Sequence, residues 1–219
     1  MDLRLDTRAV LILGPGDALD RAMIRSLATQ GAATLATHDG RQSEDLTQQG
    51  TSVSHWVSQE DDVNAFTALR LRQFLASQVA EPVAVVIHVD LVKAISRRRP
   101  VRWWHLLSRF DDVLQDTTGV ALHASTGASR ARVILVYRLG SHAERPTAIR
   151  WMHRTMRLVA RKARKHRLTP TPVNSVLVGV DADFTEAAHI VTYLCSPVTN
   201  EISGAIIPVD GGRGLHSAP

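Results

Sequence analysis

Short continuous apolar runs recur along the chain. Each is bounded by glycine, proline or charged residues, and the stretches between several of them carry helical spacing. Val10–Leu13 reads as a buried strand. Asp20–Gln30 reads as a helix stopped at Gly31, where a glycine allows a left-handed turn. Ala33–Asp39 and Val53–Val57 read as strands two and three, with 40–52 as loop or a poorly formed helix. Residues 60–78 place Val63, Phe66, Leu69 or Arg70, and Phe74 at helical intervals. Pro82–Val89 is a β-branched run, the mark of a strand covered on both faces. A basic loop at 96–102 leads to a long helix at 103–125. The remaining elements are a strand at 131–137, a helix at 146–168, a strand at 172–179, a helix at 185–196 and a last strand within 204–212. Strands alternating with helices predict an α/β fold: one doubly wound parallel sheet with helices on both faces, spanning 1–219 as a single domain.

Composition narrows the classes. A chain of 219 residues, 44% hydrophobic, can build one well-filled core. No apolar run reaches membrane-spanning length, and the N-terminus lacks the form of a secretory signal. The single cysteine, Cys195, forms no internal disulfide and reads as a small buried apolar residue, so a reducing, cytoplasmic setting is expected. Ten histidines are scattered without the i, i+4 spacing of a metal motif, and no metal is expected.

The segment VLILGPGDALD, Val10 to Asp20, opens like a nucleotide-binding strand, turn and helix. Two aspartates, Asp17 and Asp20, stand where a phosphate would have to approach. They read as caps that satisfy the helix N-terminus themselves.

The C-terminal third carries a more specific pattern. Val173-Asn174, Gly179, Val191, Leu194, Ser196, Ile202-Ser203-Gly204 and Val209-Asp210-Gly211-Gly212 stand at fixed spacing. In this the chain resembles the short-chain dehydrogenases/reductases, and the order of elements extends the resemblance over nearly its whole length. The resemblance implies a Rossmann-type fold, an NAD(P) cofactor, and a catalytic Asn, Ser, Tyr and Lys. It also implies subunit interfaces built from helices and the C-terminal VDGG tail.

The chemistry-bearing positions of that family are differently occupied here. Its cofactor turn, TGxxxGxG, begins at Gly14, but the second and third glycine places hold Ala18 and Asp20. Read from Gly14 and Gly16 as GxGxxG, the third place is Leu19. Asp39 ends the second strand, where a ribose-binding acid could sit. The resemblance puts Asp116 at the Asn place, Arg138 at the Ser place, Trp151 at the Tyr place and Thr155 at the Lys place. The two tyrosines, Tyr137 and Tyr193, begin no YxxxK. The fourth strand ends HVDL, His88 to Leu91, instead of NNAG, and His88 reads as structural. The segment after Gly179 runs almost directly into a helix, so the family's substrate loop is expected to be deleted.

On the helix at 146–168, Arg150, Arg154, Arg157, Arg161 and Arg164 recur in steps of four and three, which places them on one face. Met152, Met156, Val159 and Ala163 lie roughly opposite. Three readings stay open for the stripe: a solvated face, an acidic protein partner, or nucleic acid. Trp103 and Trp104 beside Arg97–Arg99 read as core or interface. The expected function is a non-catalytic subunit that pairs with a catalytically intact short-chain dehydrogenase/reductase in a hetero-oligomer. In it Arg150 to Arg164, Asp210, Gly211 and Gly212 face the partner, and any NAD(P) is held by the partner. The alternatives are a binding or regulatory protein that uses the arginine helix on an acidic protein or RNA, and a divergent active NAD(P)-dependent oxidoreductase.

Overall fold

The computed structural model describes residues 2–6, 8–14, 16–38, 53–57, 82–90, 132–140, 145–165 and 171–213. The expected helices at 60–78 and 103–125, the loops at 40–52 and 96–102, and Asp39, Trp103, Trp104 and Asp116 lie outside them.

The apolar runs form strands β1 (Ala9–Leu13), β2 (Ala33–His38), β3 (Val53–Val57), β4 (Pro82–Asp90), β5 (Arg132–Arg138), β6 (Val173–Val178) and β7 (Ile206–Val209). All pair in parallel in one sheet of order β3-β2-β1-β4-β5-β6-β7. Side chains alternate along each strand, so one strand feeds two core layers. Leu11, Val85, Ile87, Val133, Leu135 and Tyr137 pack on one face with Trp151, Met152, Met156 and Val159 of helix α2 (Arg145–Lys165). Val10, Ile12, Val86, Ile134, Val136 and Val176 pack on the other face. There they meet α1 (Ala18–Thr29) and α3 (Phe184–Cys195), through residues such as Leu19, Met23, Leu27, Val191 and Leu194. A sheet buried on both faces is why β1, β4, β5 and β6 read as continuous rather than alternating apolar runs.

The helix starts shift by one or two residues from the sequence expectation. Helix α1 starts at Ala18 because Asp17 is its N-cap, accepting from Leu19 and Asp20 N–H. Helix α2 starts at Arg145, ahead of the proline at 146, which suits the first turn because its missing N–H is not needed there. Gly31 has φ +76°, the left-handed conformation expected where α1 ends. Among the described residues no helix is long and apolar enough to cross a membrane.

The C-terminal pattern has a physical reading. The Asn174 amide donates to Ile202 O at 2.8 Å and accepts from Ala205 N at 3.1 Å. Gly204, at φ +83°, donates its N–H to Val173 O at 2.8 Å. Together they clamp the approach to β7 against β6 and fix the sheet's edge strand.

Candidate functional site

The sheet runs outward from β1 through β2 to β3, then restarts with β4 on the other side of β1. Between the C-terminal ends of β1 and β4 lies a switch point, the crevice where open α/β sheets take ligands. Leu13 pairs with Ile87 in register, so His88 stands one residue beyond, beside the β1–α1 turn.

In that crevice the chain's own carboxylates take the positions of interest. Asp20 Oδ2 accepts the Gly16 N–H at 2.6 Å, and Oδ1 lies 2.7 Å from His88 Nδ1. Because a carboxylate only accepts, Nδ1 is the protonated ring nitrogen. The His88 side chain is 0% exposed and that of Asp20 4%. Asp17 Oδ1 accepts from Leu19 N at 2.9 Å and Asp20 N at 3.2 Å, and its Oδ2 meets Arg138 Nη1 at 3.1 Å. The Arg138 guanidinium also lies over the Phe184 ring, 5.1 Å from its centre. Gly14 leaves the room for this: a Cβ there would stand 2.5 Å from both Asp20 carboxylate oxygens.

A dinucleotide needs that room and those amides for its pyrophosphate. Here the Asp20 carboxylate stands over Gly14, and Asp17 and Asp20 take up N–H groups of the turn and the first helical turn. The residues present do not fit the group. Asp17, Asp20 and His88 also offer ligand-type atoms within 4.8 Å of one another. Those atoms are committed to one another, to backbone N–H groups and to Arg138, so the geometry is that of an internal polar network. Local spacing could not announce this cluster, since His88 and Asp20 are 68 residues apart and Arg138 and Asp17 are 121 apart.

The positions that the resemblance assigns to proton transfer lie elsewhere. Trp151 is buried, edge-on to Tyr137 at 5.7 Å between ring centres. Thr155 is buried and donates its hydroxyl to Trp151 O at 3.0 Å. Both are packed into the core layer under α2. Of the described residues at the family's catalytic places, Arg138 alone reaches the crevice, where it meets Asp17. The link from β6 to α3 is short. Gly179 N–H donates to Val209 O at 2.9 Å, and Asp183 already caps α3 through Thr185 N at 2.8 Å. This matches the expected deletion of the substrate loop.

On α2, Arg150, Arg154, Arg157 and Arg161 are exposed while Met152, Met156 and Val159 are buried, as the spacing predicts. The side chains of Ala163 and Arg164 lie outside the described residues. Asp210 pairs with Arg145 and accepts from Gly212 N at 3.0 Å, so its carboxylate is used within the chain, whereas Gly211 and Gly212 are exposed. Burial pushes the Cys195 thiol up to about 12, against a smaller downward pull from Arg132.

No protein-family model matches the sequence, and no curated protein matches it. Solved structures do match in fold. One is assigned as an NAD(P)-dependent gluconate 5-dehydrogenase from Beutenbergia cavernae, with NADP bound at low occupancy. It superposes with a TM-score of 0.73 at 16% identity, over 98% of this chain and 100% of that one. A 2-keto-3-deoxy-D-gluconate dehydrogenase from Streptococcus agalactiae gives 0.75 at 12% identity, over 98% and 96%. A hydroxysteroid dehydrogenase from Escherichia coli gives 0.74 at 15%, over 96% and 97%. The fold is therefore that of the short-chain dehydrogenases/reductases, a single Rossmann-type sheet. At these identities the likeness speaks for the fold alone.

Proposed function

We propose that this chain is a non-catalytic, cytoplasmic subunit of short-chain dehydrogenase/reductase fold. It pairs with a catalytically intact relative in a hetero-oligomeric dehydrogenase or reductase. The observation that carries the reading is the Asp20 carboxylate, bonded to Gly16 N–H and His88 over Gly14. A second acid, Asp17, stands beside it, so an incoming pyrophosphate would meet both bulk and like charge. The buried Trp151 and Thr155 offer no proton relay at the places where the family keeps one. The NAD(P) of such a complex belongs to the partner subunit.

The contact surface on this reading is the arginine face of α2, with the Gly211-Gly212 tail. The helix Arg145–Lys165 holds eight Lys and Arg and no Asp or Glu. That concentration also supports a second reading, a regulatory protein whose arginine helix binds an acidic protein or RNA.

The test is gentle affinity purification from the native host, with native mass, absorbance at 260 nm and an NAD(P)(H) titration of the isolated chain. A co-purifying relative with an intact YxxxK, together with an isolated chain inert to NAD(P)(H), is the expected result. Absorbance removed by nuclease favours the second reading. Saturable micromolar binding of NADPH by the chain alone, with carbonyl reduction, makes it a divergent active oxidoreductase and overturns the proposal.

A further inference from the structure

We propose that the Asp20 carboxylate is a built-in anionic ligand: it occupies a recess lined by hydrogen-bond donors at the switch point and holds that recess together without any nucleotide. The inference rests on the reading that the native chain binds no dinucleotide, and it goes further by giving the obstruction a positive role.

Three elements converge on the recess. The β1–α1 turn offers the Gly16 N–H and the positive end of α1. Strand β4 supplies His88, fully buried, with Nδ1 aimed at Asp20. The end of β5 brings Arg138, which Asp17 holds at 3.1 Å. Each Asp20 oxygen is matched by a donor, Oδ1 by the imidazole and Oδ2 by the amide, at 2.7 and 2.6 Å. Charge-assisted bonds this short between buried groups are among the stronger polar contacts a fold contains. The missing Cβ at Gly14 gives the carboxylate its seat. With the carboxylate removed, two donors and a helix N-terminus would be left facing a small void. Those groups recognise a small oxyanion, with formate as the minimal mimic and inorganic pyrophosphate as a larger one.

The experiment is chemical rescue of full-length Asp20→Gly, read by thermal denaturation in formate, pyrophosphate or chloride at matched ionic strength. Wild type is expected to be indifferent to all three. The variant is expected to melt several degrees lower, and formate or pyrophosphate should restore much of the loss in a saturable way while chloride does not. Adding His88→Ala should weaken the rescue about tenfold or more. A variant that melts like wild type overturns the inference, as does one that chloride restores equally well. Should Asp20→Gly fail to fold, Asp20→Asn keeps the volume and removes the charge. Its Tm must then fall and its His88 ring-nitrogen NMR signals must move; unchanged values overturn the inference equally. NADPH binding by wild type would sink the functional reading. An inert wild type with an indifferent Asp20→Gly would sink only this one.

Discussion

Gly14 and Cys195 show how single positions carry different loads here. A methyl group at Gly14 would stand 2.5 Å from both Asp20 carboxylate oxygens, so Gly14→Ala must displace the carboxylate from His88 and Gly16. Overpacking of this kind costs about 1–3 kcal/mol. The expected outcome in thermal or urea denaturation is a loss of that size, about 2–4 °C in Tm per kcal/mol for a chain of this length. In a nucleotide-dependent fold the same change would be felt in cofactor affinity instead; an unaltered Tm would show that Asp20 is not seated on Gly14. Cys195 is fully buried and its thiol is raised from 9.0 to about 12. A raised acid stays protonated in the folded chain while the unfolded chain ionises. Its contribution is therefore intact below pH 9 and is lost as pH climbs from 9.0 towards about 12. The slope is about 1.4 kcal/mol per pH unit in that window. Urea unfolding across alkaline pH should show it, and Cys195→Ala should remove it. A thiol reagent should leave the native protein unlabelled and react in denaturant.

At the scale of elements, α2 divides its work between two faces. Met152 lies in the core layer over β5, and its truncation to Ala should cost about 2–5 kcal/mol. Arg157, exposed on the opposite face, should tolerate Gln within about 0.5 kcal/mol. Paired denaturation curves measure both, and a comparable loss at Arg157 would place it in a structural contact. This division was legible in the sequence, because a period of 3.6 residues sorts Met152, Met156 and Val159 from Arg150, Arg154 and Arg157 without any tertiary knowledge. The strands were legible for a related reason: continuous β-branched runs such as Val85–Ile87 suit only a sheet covered on both faces. The Asp17 cap was legible too, as local chemistry. The partners of Asp20 and Arg138 were not. They depend on the register of β1 on β4 and β4 on β5, which sets His88 beside the turn and Arg138 across from Asp90. Register is decided by packing of the whole sheet and leaves no local trace. The Asn174 clamp is intermediate. Its motif was visible, while its bonds to Ile202 and Ala205 needed the fold. Asn174→Ala leaves that carbonyl and amide without their partner and should cost about 1–3 kcal/mol. Hydrogen exchange should then quicken first at β7; uniform protection would argue against the clamp.

For the molecule as a whole, charge is unevenly placed. The chain has 26 Lys and Arg against 21 Asp and Glu, a net +5. Helix α2 alone holds eight of those cations and no acid, which leaves the other residues 18 cations against 21 acids, a net −3. The excess positive charge thus lies on one helix, and its apolar face is already consumed by the core. A copy of this helix would be repelled by its like, whereas an acidic surface would be drawn to it. The proposed complex should therefore be salt-sensitive. As the screening length shrinks from about 10 Å at 0.1 M to about 3 Å at 1 M salt, affinity should fall steeply, mainly through slower association. The charge-reversing triple variant Arg150→Glu, Arg157→Glu and Arg161→Glu should abolish the complex while leaving the Tm of the isolated chain within a few degrees, since these side chains are exposed. Surface-binding kinetics across a salt series, with wild type and variant side by side, decide the matter. Binding that ignores both salt and charge reversal would move the interface away from α2, to the Gly211-Gly212 end of the sheet.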